Sequence, residues 1–350
     1  MWEGYKMKKR LLVLYGILII MMSTTAAFSM GAKPEEPARP YCETDYPIIL
    51  VPGVLGFESL IGVVDYFYGV ENSLENDGAI IYTANLTGWS GTDQRGDQLI
   101  AFVDALKASH PEYTKFNFIA HSHGSTTSRY AMKHRPGVFA SLTTIAGPHQ
   151  GTPFADYVNE DLPDGVETVG YAGLEMLAGD FVALLSGHKD LVGTQDAASC
   201  VAHFTKDGME QFNTDNPCAG VPKGASPGLY GDDAETVDGS FYGDGLGNPD
   251  GDIRYYSWTG NTGTGSVTSV DILDSVMFIS NSFIRGYDYE GDADGLVPVA
   301  SSHFGEVLND TYNWNHVDEV NHTLGIINPF AADPVAVFRQ HANRLQNAGY

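Results

Sequence analysis

The sequence contains few cysteines and few basic residues, and each shortage excludes classes of protein. Only three cysteines occur among 350 residues, without a C-x-x-C pair or a cluster with histidine, which excludes the usual structural zinc motifs. Lysine and arginine together number 19 against 44 aspartates and glutamates, giving a formal charge of −25. Nucleic acids and anionic surfaces are therefore unfavourable partners.

The chain also lacks an apolar run long enough to cross a membrane comfortably. The apolar run at residues 11–22 follows four basic residues between positions 6 and 10 and precedes small residues, with a plausible cleavage site at 27–29. This order predicts a secretory signal peptide over residues 1–29, and hence a secreted protein exported through the periplasm. An N-terminal anchor that is never cleaved is the alternative.

Export to an oxidising compartment permits one disulfide bond. Cys200 and Cys218 are the nearest pair along the chain, which makes them the first choice and leaves Cys42 over. Connectivity does not follow from sequence alone, so the other pairings stay open.

The rest of the chain predicts a linker and one domain. Residues 30–45, with a stretch rich in proline and glutamate, predict the linker, and residues 46–350 contain no visible repeat. Short apolar runs that predict buried strands occur at 48–51, 79–83, 116–120, 139–145 and 253–258. Helical patterns occur at 98–109, at 125–134 and from Asp333 onward. This alternation predicts an α/β fold with a mostly parallel sheet and helices on both faces.

Two segments do not follow that alternation. Residues 165–191 are dense in leucine, methionine and phenylalanine with few charges, and they form either a core helix or a lid with an apolar inner face. Residues 205–252 are rich in glycine, aspartate, asparagine and proline, which predicts loops.

The most informative motif is Ala120-His121-Ser122-His123-Gly124, which follows an apolar strand and precedes a helical stretch. Strand, tight turn, serine and helix are the context in which a nucleophile elbow raises a serine hydroxyl above the strand ends. The helix that follows directs free main-chain amides at an oxyanion formed there. Ser122 is therefore the predicted nucleophile, with an ordinary loop serine as the alternative.

A serine nucleophile needs a histidine base and an acid that orients the base. Where a nucleophile elbow is used, the chain order is serine, acid, histidine. Downstream, Asp294 lies in an Asp-Gly turn and His316 in a polar loop, so these two are the first candidates. The competing residues are His303 and His322 for the base, and Asp288 and Asp292 for the acid.

The oxyanion intermediate needs two hydrogen-bond donors that are in place before the reaction. The main-chain N–H of His123, directly after the nucleophile, is one predicted donor. The other is placed at the N–H of Val54, in the glycine-punctuated loop that leaves the first strand. A simple strand-to-loop turn is equally consistent with this second segment.

Six longer segments resemble the secreted Pseudomonas-type bacterial lipases, a family of the α/β-hydrolase superfamily. They are Tyr46–Val51, Gly56-Phe57, His121–Gly124, Ser301–Gly305, Asn315–Asn321 and Arg339–Leu345. The resemblance implies an α/β-hydrolase fold with a helical lid at about 165–191, and hydrolysis of long-chain acylglycerols at oil–water interfaces. It also implies a membrane-anchored, lipase-specific foldase in the periplasm as a partner.

The same resemblance implies a role for each candidate site residue. Ser122 falls on the nucleophile, Asp294 on the acid and His316 on the base. The oxyanion donors fall on the amides of Val54 and His123. The implied reaction is acylation of the serine by the ester, followed by hydrolysis of the acyl-enzyme.

The resemblance further implies a structural calcium ion near the base. Asp318 falls on one carboxylate ligand and Asp271 on the other, with Asp274 as the alternative register. The main-chain carbonyls of His322 and Ile326 fall on two further ligands, and oxygen ligands of this kind suit a hard divalent cation. The ion is expected to pin the loop that carries the base.

Four residues depart from the family pattern. Pro52 replaces the usual histidine before the oxyanion glycine, which predicts a differently set oxyanion loop. Ala120 and Ser125 replace elbow glycines, with little expected effect. Ala300 replaces a cysteine of the family disulfide, so calcium is expected to contribute more to stability.

The sequence thus predicts a secreted, calcium-stabilised triacylglycerol lipase. Within enzymes, the alternative is a short-chain carboxylesterase or a polyester depolymerase with the same triad. A non-catalytic homologue that binds lipid or a partner protein is the alternative from another class.

Overall fold

The computed structural model describes residues 39–54, 59–60, 64–161, 194–222, 253–262, 284 and 291–350. The chain divides into two units, residues 1–40 and 41–350, and every described strand and helix belongs to the second. The predicted signal peptide and the predicted lid lie outside the described residues, as do the candidate residues Asp271, Asp274 and Asp288.

Eight strands occur in the described residues. In chain order they are β1 (Ile48–Val51), β2 (Ser59–Leu60), β3 (Val64–Asp65), β4 (Ile81–Thr83), β5 (Phe116–His121), β6 (Phe139–Ile145), β7 (Arg254–Gly260) and β8 (Glu306–Tyr312). Six of them form one sheet in the order β4–β1–β5–β6–β7–β8, and every neighbouring pair is parallel. The strands β2 and β3 form a separate antiparallel pair. The predicted parallel sheet is confirmed.

Eight α-helices connect or flank these strands in the described residues. They are α1 (Val70–Asn76), α2 (Thr92–Ser109), α3 (His123–His134), α4 (Pro153–Asp156), α5 (Ala197–His203), α6 (Lys206–Asp215), α7 (His322–Gly325) and α8 (Pro334–Ala348). None of the helices so described is long and apolar enough to cross a membrane. The start of α8 follows the predicted signal, because the Asp333 side chain accepts the Val335 N–H and Pro334 occupies the first turn.

The sheet separates two apolar cores. In β1 the side chains alternate, so Ile48 and Leu50 pack in one core, and Ile49 and Val51 in the other. The first core includes Trp258 from β7 and the second includes helix α2. Because both faces of the sheet are covered, the carboxyl ends of its strands remain as the edge where a site can form.

Three expectations from the sequence need correction, and two of them concern the segment around α6. Residues 205–252 are not all loop, because Thr205 caps α6 and the buried Met209 and Phe212 anchor that helix. The predicted Cys200–Cys218 disulfide does not form in this structure, where all three cysteines are free. Cys200 packs beside Phe204, whereas Cys218 packs against the second core of the sheet, so the two thiols belong to different clusters.

The third correction is that the end of the predicted linker belongs to the domain. Cys42 is buried in the first apolar core, and the Asp45 N–H donates to the main-chain carbonyl of Tyr350 at 2.6 Å. The domain therefore begins about five residues earlier than the sequence indicated, at Tyr41.

Candidate active site

The nucleophile candidate lies on a sharp turn between β5 and α3. Ser122 has a φ of 53° and a ψ of −125°, a backbone conformation that non-glycine residues rarely adopt. Its N–H donates to the Ile145 carbonyl of the neighbouring strand at 2.8 Å. At Gly124 a Cβ atom would lie 2.4 Å from the Val51 carbonyl oxygen, so the glycine permits α3 to pack closely against β1.

The predicted acid and base meet this serine at the carboxyl edge of the sheet. His316 Nε2 lies 2.9 Å from Ser122 Oγ, and His316 Nδ1 lies 2.7 Å from Asp294 Oδ2. The other carboxylate oxygen of Asp294 accepts the N–H groups of Leu296 and Val297 at 2.8 and 2.7 Å. The acid therefore holds the Nδ1–H tautomer of the histidine and leaves Nε2 able to accept a proton from the serine.

The competing candidates face other partners or lie outside the described residues. His303 Nε2 lies 3.2 Å from Asp310, away from the serine. Asp292 accepts a hydrogen bond from Asn261 at 2.9 Å. His322 lines the cavity over the serine, but its ring packs edge-on against that of Tyr66, with centroids 5.5 Å apart. Asp288 lies outside the described residues.

The predicted oxyanion loop, residues 52–54, is held by the buried side chain of Arg95, which the sequence analysis did not identify. The Arg95 guanidinium donates to the carbonyls of Pro52 and Gly53 at 2.6 and 2.9 Å, and to the Thr127 hydroxyl at 3.2 Å. Arg95 has no exposed surface, and burial lowers its pKa to about 10. Because the peptide is trans, the Gly53 carbonyl on Arg95 directs the Val54 N–H to the opposite side.

Both residues that carry the predicted oxyanion donors lie near the serine. Val54 and Ser122 both line the same cavity, and His123 is the first residue of α3. The His123 ring does not face the reaction, because its Nε2 lies 2.9 Å from the Thr92 hydroxyl and Cys200 Sγ lies 3.6 Å from its Nδ1. Its main-chain amide lies at the positive end of the helix, where a donor to an oxyanion is expected.

A second histidine, His121, connects the base loop to the oxyanion loop. His121 Nε2 lies 2.9 Å from the His316 carbonyl oxygen, and its Nδ1 lies 2.8 Å from the Tyr66 hydroxyl. The same hydroxyl accepts the Gly53 N–H at 2.9 Å. Burial, and then the nearby His316, lower the pKa of His121 well below 6.5, so its ring is neutral. Sequence reasoning placed His121 in the motif but missed Tyr66.

Glu319 is a buried acid that lies beside His121. Its carboxyl accepts hydrogen bonds from the Gly260 N–H and the Thr259 hydroxyl, and its Oε2 lies 3.6 Å from His121 Nε2. Burial, followed by the Asp294 carboxylate, raises the pKa of Glu319 well above its usual value. The neutral form of this acid is therefore favoured beside the catalytic candidates.

Among the side chains that the structure describes, one trio of potential metal ligands converges within 4.8 Å. It consists of His121, His316 and Glu319. Both ring nitrogens of each histidine already lie within hydrogen-bonding distance of another group. The trio is therefore a hydrogen-bonded network, and its histidine nitrogens are engaged within the protein.

An apolar cavity of about 320 Å³ opens over the serine. Apart from Ser122, Thr152, Cys200, the Tyr66 ring and three histidine rings, its described lining is aliphatic or aromatic, including Trp89, Phe154, Val201 and Leu296. No lysine or arginine occurs among its described lining residues. Such a lining accepts a hydrocarbon chain beside a reactive hydroxyl.

Comparison with known proteins decides the family. The family model described as the alpha/beta hydrolase fold matches residues 46–305. The chain is 37% identical to a triacylglycerol lipase of Vibrio cholerae, over 97% of this chain and 99% of that protein. This chain belongs to the bacterial lipases. The lipase is also 35% identical to a triacylglycerol lipase of Burkholderia plantarii, over 96% of each chain.

Solved structures agree with the fold of the lipase. The Staphylococcus hyicus lipase superposes with a TM-score of 0.58 at 15% identity, covering 90% of this chain and 99% of that one. At so low an identity the superposition shows the fold alone. The predicted α/β-hydrolase fold and the predicted family are confirmed, and the lipase is a serine ester hydrolase.

The loop after the predicted base carries three of the four predicted calcium ligands, Asp318, His322 and Ile326. Asp318 is buried and its Oδ2 accepts the Asn315 N–H at 3.1 Å. Between Asp318 and Ile326 the backbone adopts positive φ angles at Asn321 (57°) and Leu324 (59°). A buried carboxylate and main-chain carbonyls are hard oxygen donors, so the chemistry of these three ligands fits calcium. Asp271 lies outside the described residues.

Proposed function

We propose that the lipase is a secreted, calcium-stabilised triacylglycerol lipase in which Ser122, His316 and Asp294 form the catalytic triad. The observation that carries the proposal is the distance of 2.9 Å between Ser122 Oγ and His316 Nε2, with Asp294 on the far side of the ring. The apolar cavity over the serine supports an acyl chain as the group transferred. The names of the Vibrio and Burkholderia relatives support acylglycerols as substrates.

The proposed reaction begins with acylation. Ser122 Oγ attacks the ester carbonyl while His316 Nε2 takes the hydroxyl proton, and the carbonyl oxygen becomes an oxyanion. The amides of Val54 and His123 donate to this oxyanion. The intermediate collapses when the bond to the alcohol oxygen breaks, and His316 gives its proton to that oxygen. The products of this half-reaction are the alcohol and the acyl-enzyme.

Deacylation follows the reverse path with water as the nucleophile. His316 takes a proton from water, whose oxygen attacks the acyl carbonyl, and then returns a proton to Ser122 Oγ as the fatty acid leaves. Asp294 stabilises the imidazolium that forms in both steps. Because Asp294 also accepts two main-chain N–H groups, its carboxylate keeps one orientation throughout.

Calcium enters the proposal as a structural ion. Asp318 and the carbonyls of His322 and Ile326 would hold it together with Asp271, and no step of the reaction passes through it. The buried carboxyl groups of Asp294 and Asp318 lie close to each other and to Glu319, so a divalent cation there would offset the negative charge of the two aspartates.

Secretion and a periplasmic foldase complete the proposal. The basic start and the short apolar run of residues 1–29 support a signal peptide. A foldase is proposed on the resemblance alone. Expression with residues 1–29 intact, followed by N-terminal sequencing of the extracellular protein, tests cleavage and export together.

Chain-length profiling tests the substrate. We expect hydrolysis of emulsified long-chain triglyceride to exceed that of soluble short esters, and a serine-directed phosphonate to label Ser122. A strong preference for soluble esters contradicts the lipase proposal. Failure of the phosphonate to label Ser122 contradicts the triad and supports a non-catalytic homologue.

A short-chain carboxylesterase is the second candidate. The described cavity, about 320 Å³, lies at the lower end of the range of ligand pockets, roughly 300–1,000 Å³, which favours a short acyl group. Substitution of Val201, which lines this cavity, with alanine discriminates the two candidates. The added space should shift an esterase toward longer chains and leave a long-chain lipase with the same preference.

A further inference from the structure

The oxyanion loop of this lipase is connected to the base loop by a continuous chain of hydrogen bonds. The Gly53 N–H donates to Tyr66 Oη at 2.9 Å, and the Tyr66 hydroxyl lies 2.8 Å from His121 Nδ1. His121 Nε2 lies 2.9 Å from the His316 carbonyl oxygen. Every member of this chain is buried.

The direction of each hydrogen bond follows from the donors and acceptors present. The His316 carbonyl can only accept, so His121 Nε2 carries the hydrogen of the neutral ring. His121 Nδ1 must then accept, and the Tyr66 hydroxyl donates to it. The phenolic oxygen in turn accepts the Gly53 N–H. One orientation of protons therefore satisfies all three contacts, and none of the groups carries a charge.

The geometry of Gly53 makes this contact specific. A Cβ atom at position 53 would lie 2.7 Å from Tyr66 Oη and 2.8 Å from Ser122 Cβ. The glycine thus lets the Tyr66 hydroxyl and the nucleophile approach the same main-chain unit from two sides. Since Val54 follows directly, a displacement of the Gly53 amide moves the Val54 N–H relative to the serine.

We propose that Tyr66 and His121 are positioning residues that set the oxyanion amide of Val54 against the base loop of His316. This inference rests on the proposed triad. Pro52 has no N–H and stands where the family has a histidine, so the loop relies on two other groups. Arg95 holds the carbonyls of Pro52 and Gly53, and Tyr66 holds the Gly53 N–H.

Substitution of Tyr66 with phenylalanine removes one hydroxyl and tests the proposal. We expect kcat for a soluble ester to fall about tenfold, a fraction of the loss for deletion of an entire oxyanion donor, with KM unchanged. An alkylboronic acid, which bonds to Ser122 Oγ and places a negatively charged oxygen in the oxyanion hole, should lose affinity by the same factor. Tyr255→Phe, a buried hydroxyl deletion near Met132, is the matched control.

The two hydrogen bonds of the His121 ring can be removed one at a time. In His121→Gln the side-chain amide occupies the position of Nε2 and keeps the hydrogen bond to the His316 carbonyl. In His121→Asn the side-chain amide occupies the position of Nδ1 and keeps the hydrogen bond to the Tyr66 hydroxyl. Both His121→Gln and Tyr66→Phe remove the hydrogen bond between the two side chains, and Tyr66→Phe also removes the Gly53 contact, so the double variant should lose no more kcat than Tyr66→Phe alone. His121→Asn should lower kcat and boronate affinity together.

Several results would overturn the proposal. One is a kcat equal to that of the control Tyr255→Phe, with only the melting temperature lowered, since that pattern indicates a structural role. A fall in kcat with unchanged boronate affinity also overturns it, as does full additivity in the double variant. Failure of the triad itself is seen separately, as retained turnover in Ser122→Ala of the otherwise unaltered lipase.

Discussion

The two sides of the active site are built differently. The nucleophile side, residues 116–134, is one contiguous strand, turn and helix, and almost all of it is buried. The base side, residues 291–326, consists of loops and short helical turns around β8, with positive φ angles at Asn321 and Leu324. Leu324 is half exposed. The proposed nucleophile is therefore positioned by local geometry, whereas the proposed base depends on contacts with other parts of the chain.

Hydrogen bonds within the base side and to other parts of the chain fix its loops. The His316 N–H donates to the Asp294 carbonyl at 2.9 Å, so the acid and base loops are joined by main chain as well as by side chains. The Asn321 side chain donates to the Tyr68 carbonyl at 2.8 Å, and the Trp314 indole N–H to the Ala332 carbonyl at 2.8 Å. A loop that lacks regular secondary structure is thus fixed by a few specific hydrogen bonds.

The largest effect should come from the nucleophile itself. Ser122→Ala removes one oxygen from a locally fixed turn, so the melting temperature should stay unchanged while kcat/KM falls roughly a thousandfold or more. Ser128→Ala, which changes a buried serine of α3 whose hydroxyl has no hydrogen-bond partner among the described residues, is the control. Ester turnover retained by Ser122→Ala would exclude this serine as the nucleophile.

The next effect tests the close packing of the nucleophile side. In Gly124→Ala the new Cβ would lie 2.4 Å from the Val51 oxygen, and main chain cannot move aside cheaply. We expect a loss of roughly 1–3 kcal/mol in the free energy of unfolding, measured by urea denaturation. Gly137→Ala, where nothing lies within 4 Å, should change it by less than about 0.5 kcal/mol. Equal stability of the two variants would contradict a tightly packed elbow.

Calcium should act on the base side. Chelation should lower the melting temperature by several degrees, since ligand at about a hundredfold excess over its Kd adds roughly 2.7 kcal/mol. In Asp318→Asn this response should be lost, whereas Asp310→Asn, altered at a partly exposed carboxylate paired with His303, should keep it. A melting curve of the unaltered lipase that chelator does not shift argues against the metal site.

The smallest effect concerns the cysteines. Since the structure contains no disulfide between its three cysteines, a reducing agent should leave the melting temperature unchanged. Titration of the denatured, unreduced lipase with a thiol reagent should count three thiols. A count of one free thiol would show that two of the cysteines form a disulfide, as the sequence predicted.

The nucleophile side was the more predictable because its signal is local. The apolar run of β5, the small residues and Ser122 are adjacent in sequence, so the turn follows from one short window. By contrast, β8 was missed, because Glu306–Tyr312 is an edge strand of partly exposed, mostly polar residues and shows no apolar run. The helix α6 was missed because its composition resembles a loop, and only its spacing of Met209 and Phe212 indicates burial.

The groups that support the site were less predictable still. Tyr66 acts through contacts with residues 13 and 55 positions away, and no short window contains that information. Arg95 did leave a signal, since it shares a helical face with the buried Leu99 and Val103, four and eight residues later. A charged residue on an apolar helical face indicates a buried polar partner, which here is the oxyanion loop.

The position of Arg95 behind that loop has a consequence for the end of the catalytic cycle. Hydrolysis leaves a fatty-acid carboxylate, and a cation exposed in the cleft would retain it as a counter-ion. In this lipase the guanidinium is screened from the cleft by the Pro52–Val54 main chain, which it polarises from the opposite side. In the proposed reaction its positive potential therefore assists bond cleavage without offering the departing acid a partner for a salt bridge.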